Sequence, residues 1–168
     1  MGSFLAIIRD ELPKNLFEIA LSAFGFLVAL GVNGIVEKIH DRNTFCSMLT
    51  AFRSEAASNT NVITDSYDKL LPDGVVLNEF RIATAQSLLA SPLAMNYLTD
   101  TDIKSINRYV TDLALANGQR RVVELLTFNP TPSSTPWLES AREVLGNSVK
   151  VAGKDIESVL AIKGSGLL

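Results

Sequence analysis

Residues 19–36 read IALSAFGFLVALGVNGIV, eighteen positions without a charge. No other feature limits so strongly what this chain can fold into. Counting back to Leu16 gives about twenty residues, enough as a helix to cross a hydrocarbon core about 30 Å thick. Within that longer stretch only Glu18 interrupts, close to one end. A transmembrane helix over residues 15–37 is the expectation. Two competing readings use the same letters: a buried core helix of a soluble domain, and a cleaved signal peptide with Ala29-Leu30-Gly31 as its small-residue site.

The pattern inside the segment narrows its role. At 100° per residue, Glu18, Ser22, Gly25, Ala29 and Asn33 share an arc of about 80°, and Ala20, Phe24 and Leu27 lie opposite. Helices associate in lipid through close backbone approach and interhelical hydrogen bonds, which small-xxx-small spacing and polar side chains supply. Gly25 and Ala29 have that spacing, and Glu18 and Asn33 bring polar groups to the same side. The five residues are therefore expected to form a helix-packing interface with other membrane subunits or with further copies of the chain.

Ahead of the span, Ser3 is placed to cap a short helix whose residues Phe4, Leu5, Ile8 and Leu12 share one side. This pattern predicts an interfacial amphipathic helix over residues 1–14, lying on the bilayer and ended by Pro13. Arg9 and Lys14 flank one end of the span, and Lys38 and Arg42 the other, so positive charge does not orient it. A cytoplasmic N-terminus with the remaining domain on the outer side is favoured, as for many N-terminal anchors.

The stretch from Glu18 to Glu37 resembles the N-terminal segment of a family of uncharacterised bacterial single-span proteins. The likeness rests on Glu18, Gly25, Ala29-Leu30, Val32-Asn33 and Glu37, with Leu49 and Asn59 fitting the continuation. The chain departs from that pattern at Phe17, where the family has Gly, and at Ile35, where it has Trp. The resemblance implies anchoring in a bacterial inner membrane and a helical domain, with no activity attached.

Beyond Val36 there is no Gly or Pro until Pro72. Ile39, Phe45, Leu49, Phe52, Ala56, Ile63, Tyr67 and Leu70 recur mostly at threes and fours, the mark of a helix with one apolar face. The span is expected to continue outward as a long helix, loosened around Ser58-Asn59-Thr60-Asn61. Unbroken from Leu16 to Leu71 it would reach about 80 Å. Pro72-Asp73-Gly74 signals a turn, followed by a helix over residues 76–90 that Ser91-Pro92 stops.

Thr99-x-x-Asp102 has the spacing of a capping box and opens a helix to about Phe128. After a Pro- and Ser-rich loop, Thr135 caps a final helix with Pro136 at its first position. Leu138, Leu145, Ala152 and Val159 recur there every seven residues. Gly146 marks a plausible break and Gly164 and Gly166 an end. No strand alternation is present. The expected architecture is all-α: one N-terminal transmembrane helix continuing into an antiparallel helical bundle over residues 38–168.

Composition argues against most chemistry. The chain has 168 residues, 20% charged, a net charge of −3 and a mean hydropathy of +0.22, with no basic block to suggest nucleic acid. It has one cysteine, Cys46, and one histidine, His40. That is too few for an ordinary zinc site, and Glu37-x-x-His40 supplies one di-iron half-motif where two are needed. Phosphate-binding loops and nucleophile elbows are missing.

Cys46 reads as a core thiol, Tyr109 and Trp137 as core anchors, Asp100 and Asp102 as helix starters, and Arg120-Arg121 as a solvated pair. No cofactor or metal is expected. The partners are the lipid bilayer and other membrane subunits. The sequence points to a non-catalytic accessory or scaffold subunit, with a membrane-anchored sensor or ligand-binding bundle as the alternative.

Overall fold

The computed structural model describes the backbone of residues 2–64, 78–129, 131 and 135–164, and side chains within those stretches from residue 18 onward. Among the described residues five helices follow in order: α1 (Gly2–Val62), α2 (Ala83–Ala90), α3 (Pro92–Tyr97), α4 (Asp100–Phe128) and α5 (Thr135–Leu160). Among the described residues there is no strand. The all-α expectation holds. The chain divides into two compact units, Met1–Asn43 and Thr44–Leu168.

The first unit is helical throughout its described backbone. The stop expected at Pro13 does not occur, because α1 runs through it without a break. Proline removes one amide donor, yet its own φ near −65° is helical, so a helix held on both sides can absorb it. The side chains that suggested a separate surface helix, Phe4, Leu5, Ile8 and Leu12, lie outside the described ones.

The second unit is built around one core. The α1 residues Phe45, Leu49, Phe52 and Ala56 are buried in it, together with Ile106, Tyr109 and Leu113 of α4 and Leu145, Ala152, Ile156 and Val159 of α5. Their spacing of three, four and seven puts each set on one side of its helix. Phe52 meets Tyr109 edge-on with ring centroids 5.5 Å apart, and Phe45 stacks on Tyr97 of α3 at 4.9 Å. Both geometries suit the ring quadrupoles.

Helices α4 and α5 pack antiparallel, with Arg108 near the start of α4 paired to Asp155 near the end of α5. The seven-residue seam of α5 is its core face, with Leu138 half-buried at the end. Neither Gly146 nor Gly153 breaks α5, since each costs only about 1 kcal/mol against alanine and the buried seam outweighs it. The helix stops at Leu160, before Gly164, whose φ of 79° takes the chain out of helical geometry.

Two expectations along the middle of the chain change. The loosening around Asn59 is absent, and α1 continues to Val62 before wider π-type turns at residues 63–64. The helix expected over residues 76–90 is helical only from Ala83, with residues 78–82 irregular. Pro72-Asp73-Gly74, Tyr67 and Leu70 fall outside the described residues.

One set of side chains explains both changes. Asn117 on α4 accepts from the Phe80 amide at 2.9 Å and donates to the Phe80 carbonyl at 2.8 Å. Asn59 on α1, fully buried, accepts from the Arg81 amide and donates to the Arg81 carbonyl and to the Tyr109 hydroxyl. Glu55 accepts from the amides of Thr84 and Ala85 at the start of α2. Backbone groups that a helix would have satisfied internally are satisfied from outside, so residues 78–82 need not be helical.

The remaining helix ends follow their local chemistry. Ser91 caps α3 by accepting from the Leu93 amide, with Pro92 at the first position, so the pair that ends one helix also starts another. Thr99 and Asp102 form the reciprocal capping box.

Replacing Asn117 with alanine removes its two hydrogen bonds to the buried amide and carbonyl of Phe80. Each unpaired buried group costs about 1–3 kcal/mol, and the melting temperature followed by circular dichroism should fall by roughly 5–15 °C. An unchanged melting curve would mean that the clamp on residues 78–82 carries no weight.

Candidate functional site

The described part of α1 holds the strongest functional feature. It contains the one helix among the described residues that is long and apolar enough to cross a membrane, and no part of its apolar window is buried. Phe24 is 66% exposed and Leu27 65%, with Leu21, Phe26 and Ile35 in the same state. None of the described residues covers this surface, whereas the core helix of a folded domain is mostly buried. A signal sequence passes the same test of length and composition.

Glu18, Ser22, Gly25, Ala29 and Asn33 are all exposed on this helix, within one helical arc. A Cβ built on Gly25 would meet nothing within 4 Å, so no described part of the chain occupies the space beside it. Gly31 and Gly34 are equally open. At 100° per residue those two glycines lie on the opposite side of the helix, with Ala20 and Ala23. Small residues therefore line two sides of α1, which the sequence reading missed although helical spacing alone reveals it.

Elsewhere, reactive residue types are mostly absorbed by structure. His40 is exposed, and Cys46 is a free, half-buried thiol on the bundle part of α1. Tyr109 is fully buried, and burial pushes its hydroxyl well above the ordinary phenol range. Trp137 corrects an expectation: it is 71% exposed instead of anchoring the core. Placed three residues into α5 it projects off the seam, where no described element lies over it. Arg120 corrects another, since it is buried and pairs with Glu124 and, at 3.8 Å, with Glu79, while its neighbour Arg121 stays exposed. Adjacent positions on a helix differ by 100°, enough to send one arginine inward and the next to water.

One titratable cluster joins α4 to α5. Arg108 lies 3.1 Å from Asp155 and 3.5 Å from Asp112. Asp155 is buried, and among the described residues its Oδ2 has no hydrogen-bond donor. Burial, then hydrogen bonding to the neighbouring Asp112 carboxyl, raises the Asp155 pKa from 3.8 to about 6, against the pull of Arg108. Two acids that share a site cannot both ionise freely. Beside them runs a groove of 390 Å³ lined by Asp112, Leu115, Val144, Asn147, Ser148 and Val151. Among the described residues no three His, Cys, Asp or Glu side chains gather in a way that could hold a metal ion.

No family model, no curated protein and no solved structure matches this chain.

The Asp155 shift has a definite sign. The folded state holds the proton more tightly than the unfolded state, so this group's stabilisation is complete below about pH 4 and is lost as pH rises through about 6. Unfolding measured from pH 4 to pH 7 should show that decline, and Asp155→Asn should flatten it. An identical slope in the variant would assign the decline to other groups.

Proposed function

We propose that this chain is a non-catalytic, single-pass membrane subunit, in which α1 anchors and recruits while the bundle of residues 44–168 serves as an accessory or scaffold domain. The observation that carries this reading is the uncovered apolar helix. Its ten Leu, Ile, Phe and Val residues between positions 19 and 36 each favour insertion by about 0.3–0.6 kcal/mol at the helix centre. Together they supply roughly 3–6 kcal/mol, while Glu18 sits near one end, where a carboxylate reaches the headgroup region at little cost. A bacterial inner membrane, with the bundle on the periplasmic side, is part of the proposal.

The subunit role rests on the Glu18, Ser22, Gly25, Ala29 and Asn33 side. Without water, helices gain little from apolar burial against one another, and close approach at small residues takes its place. Leucine at Gly25 and Ala29 would hold a neighbouring helix away from that side. Leucine at Gly31 and Gly34 would do the same on the opposite side.

The two sides make a paired test. Full-length protein purified in mild detergent should lose its co-purifying membrane partners, or its own oligomer, with Gly25→Leu and Ala29→Leu, while the Gly31→Leu and Gly34→Leu variant keeps them. The reverse result moves the interface to the other side of α1. No loss in either variant rejects a subunit held through this helix. Recovery of the mature protein without residues 1–31 would reject the anchor itself.

A further inference from the structure

Helix α5 carries a second apolar line that the fold leaves open. Trp137, Val144 and Val151 recur at intervals of seven, all within about 40° of one another and offset from the buried seam. They are 71%, 45% and 40% exposed, and Leu115 of α4, 52% exposed, joins Val144 and Val151 along the 390 Å³ groove. A seam every seven residues is the geometry by which one helix receives another.

Charges beside this line indicate what the other helix is. Glu139, Glu143, Lys150 and Lys154 are all exposed and lie along one flank of it, acidic toward the start of α5 and basic toward the end. Within a single copy the order is unfavourable, because Glu139–Glu143 and Lys150–Lys154 are like-charge pairs four residues apart. None of the four joins an ion pair among the described residues. The helix dipole does not account for them either. Its effect is confined to the terminal turns, and α5 has no acid in its first turn and no base in its last.

An antiparallel second copy of α5 resolves the repulsion. In antiparallel helix pairs equivalent flanks face each other, so a two-fold axis at Asn147 sets Glu143 opposite Lys150 and Glu139 opposite Lys154 of the other copy. The midpoint of each charged pair falls within one residue of Asn147. The midpoint of Val144 and Val151 does too, so apolar and ionic registers agree on one axis. The same axis lays Trp137 beside Glu157 and Ser158 of the other copy.

We propose that α5 is a self-association surface, pairing two copies of this chain antiparallel about Asn147 through Val144 and Val151 and through the Glu139/Glu143 to Lys150/Lys154 ion pairs. This interface stands on α5 alone and is independent of the anchoring side of α1.

Cysteine cross-linking of the full chain in detergent, with Cys46→Ser to remove the native thiol, reads the register directly. Asn147→Cys should join to its own copy with a short thiol cross-linker, whereas Ser158→Cys, on the same side but far from the axis, should not. Glu139→Lys with Glu143→Lys should reduce the Asn147→Cys dimer at least several-fold, as should Lys150→Glu with Lys154→Glu. Mixing those two variants, or combining all four changes in one chain, should restore it. Absence of the Asn147→Cys dimer, equal cross-linking at Ser158→Cys, or indifference to the charge reversals would each overturn the proposal.

Discussion

A backbone amide or carbonyl taken out of water must find a partner, and this demand shapes both units. In the apolar part of α1 the helix satisfies it internally, through bonds four residues apart. In the bundle the same demand arises at residues 78–82, which are not helical. There Asn59 and Asn117 supply what a helical turn would have supplied, and Glu55 accepts from the first amides of α2 just beyond. Because those side chains stand on α1 and α4, the clamp also ties the two helices to the start of α2.

Asparagine suits this task because its amide presents a donor and an acceptor at the spacing of a peptide group. Asn117 meets both polar groups of Phe80 in that way, and Phe80 places its ring in the core. Buried polarity is thus concentrated where the backbone is irregular. Around it the contacts are apolar and aromatic, and the Arg108–Asp155 pair joins α4 to α5 at the edge of that core.

Much of this was legible in the sequence. Apolar residues three and four apart in the bundle part of α1 are the ones that become buried, from Phe45 to Ala56. The seven-residue seam of α5 and the Thr99–Asp102 capping box appear where their spacing puts them. Failures occurred where a local signal competed with a distant partner. Asn59 reads as a helix weakener in isolation, yet with Arg81 and Tyr109 beside it the residue is a core hydrogen-bonding group. Pro13 reads as a stop, and the surrounding helix carries through it. Trp137 reads as core because large aromatic residues usually are, and its angular offset from the seam leaves it outside.

The letters alone determined the helical class, the apolar segment and the faces of the long helices, because these depend on periodicities of a few residues that neighbours along the chain impose on one another. Tertiary structure alone decided that residues 78–82 are held open by two asparagines. It also decided that Arg120 is buried beside an exposed Arg121, and that the Asp155 proton is held to about pH 6. Each of these depends on groups tens of residues apart meeting in a place with little water, and no spacing rule along the chain specifies such a meeting.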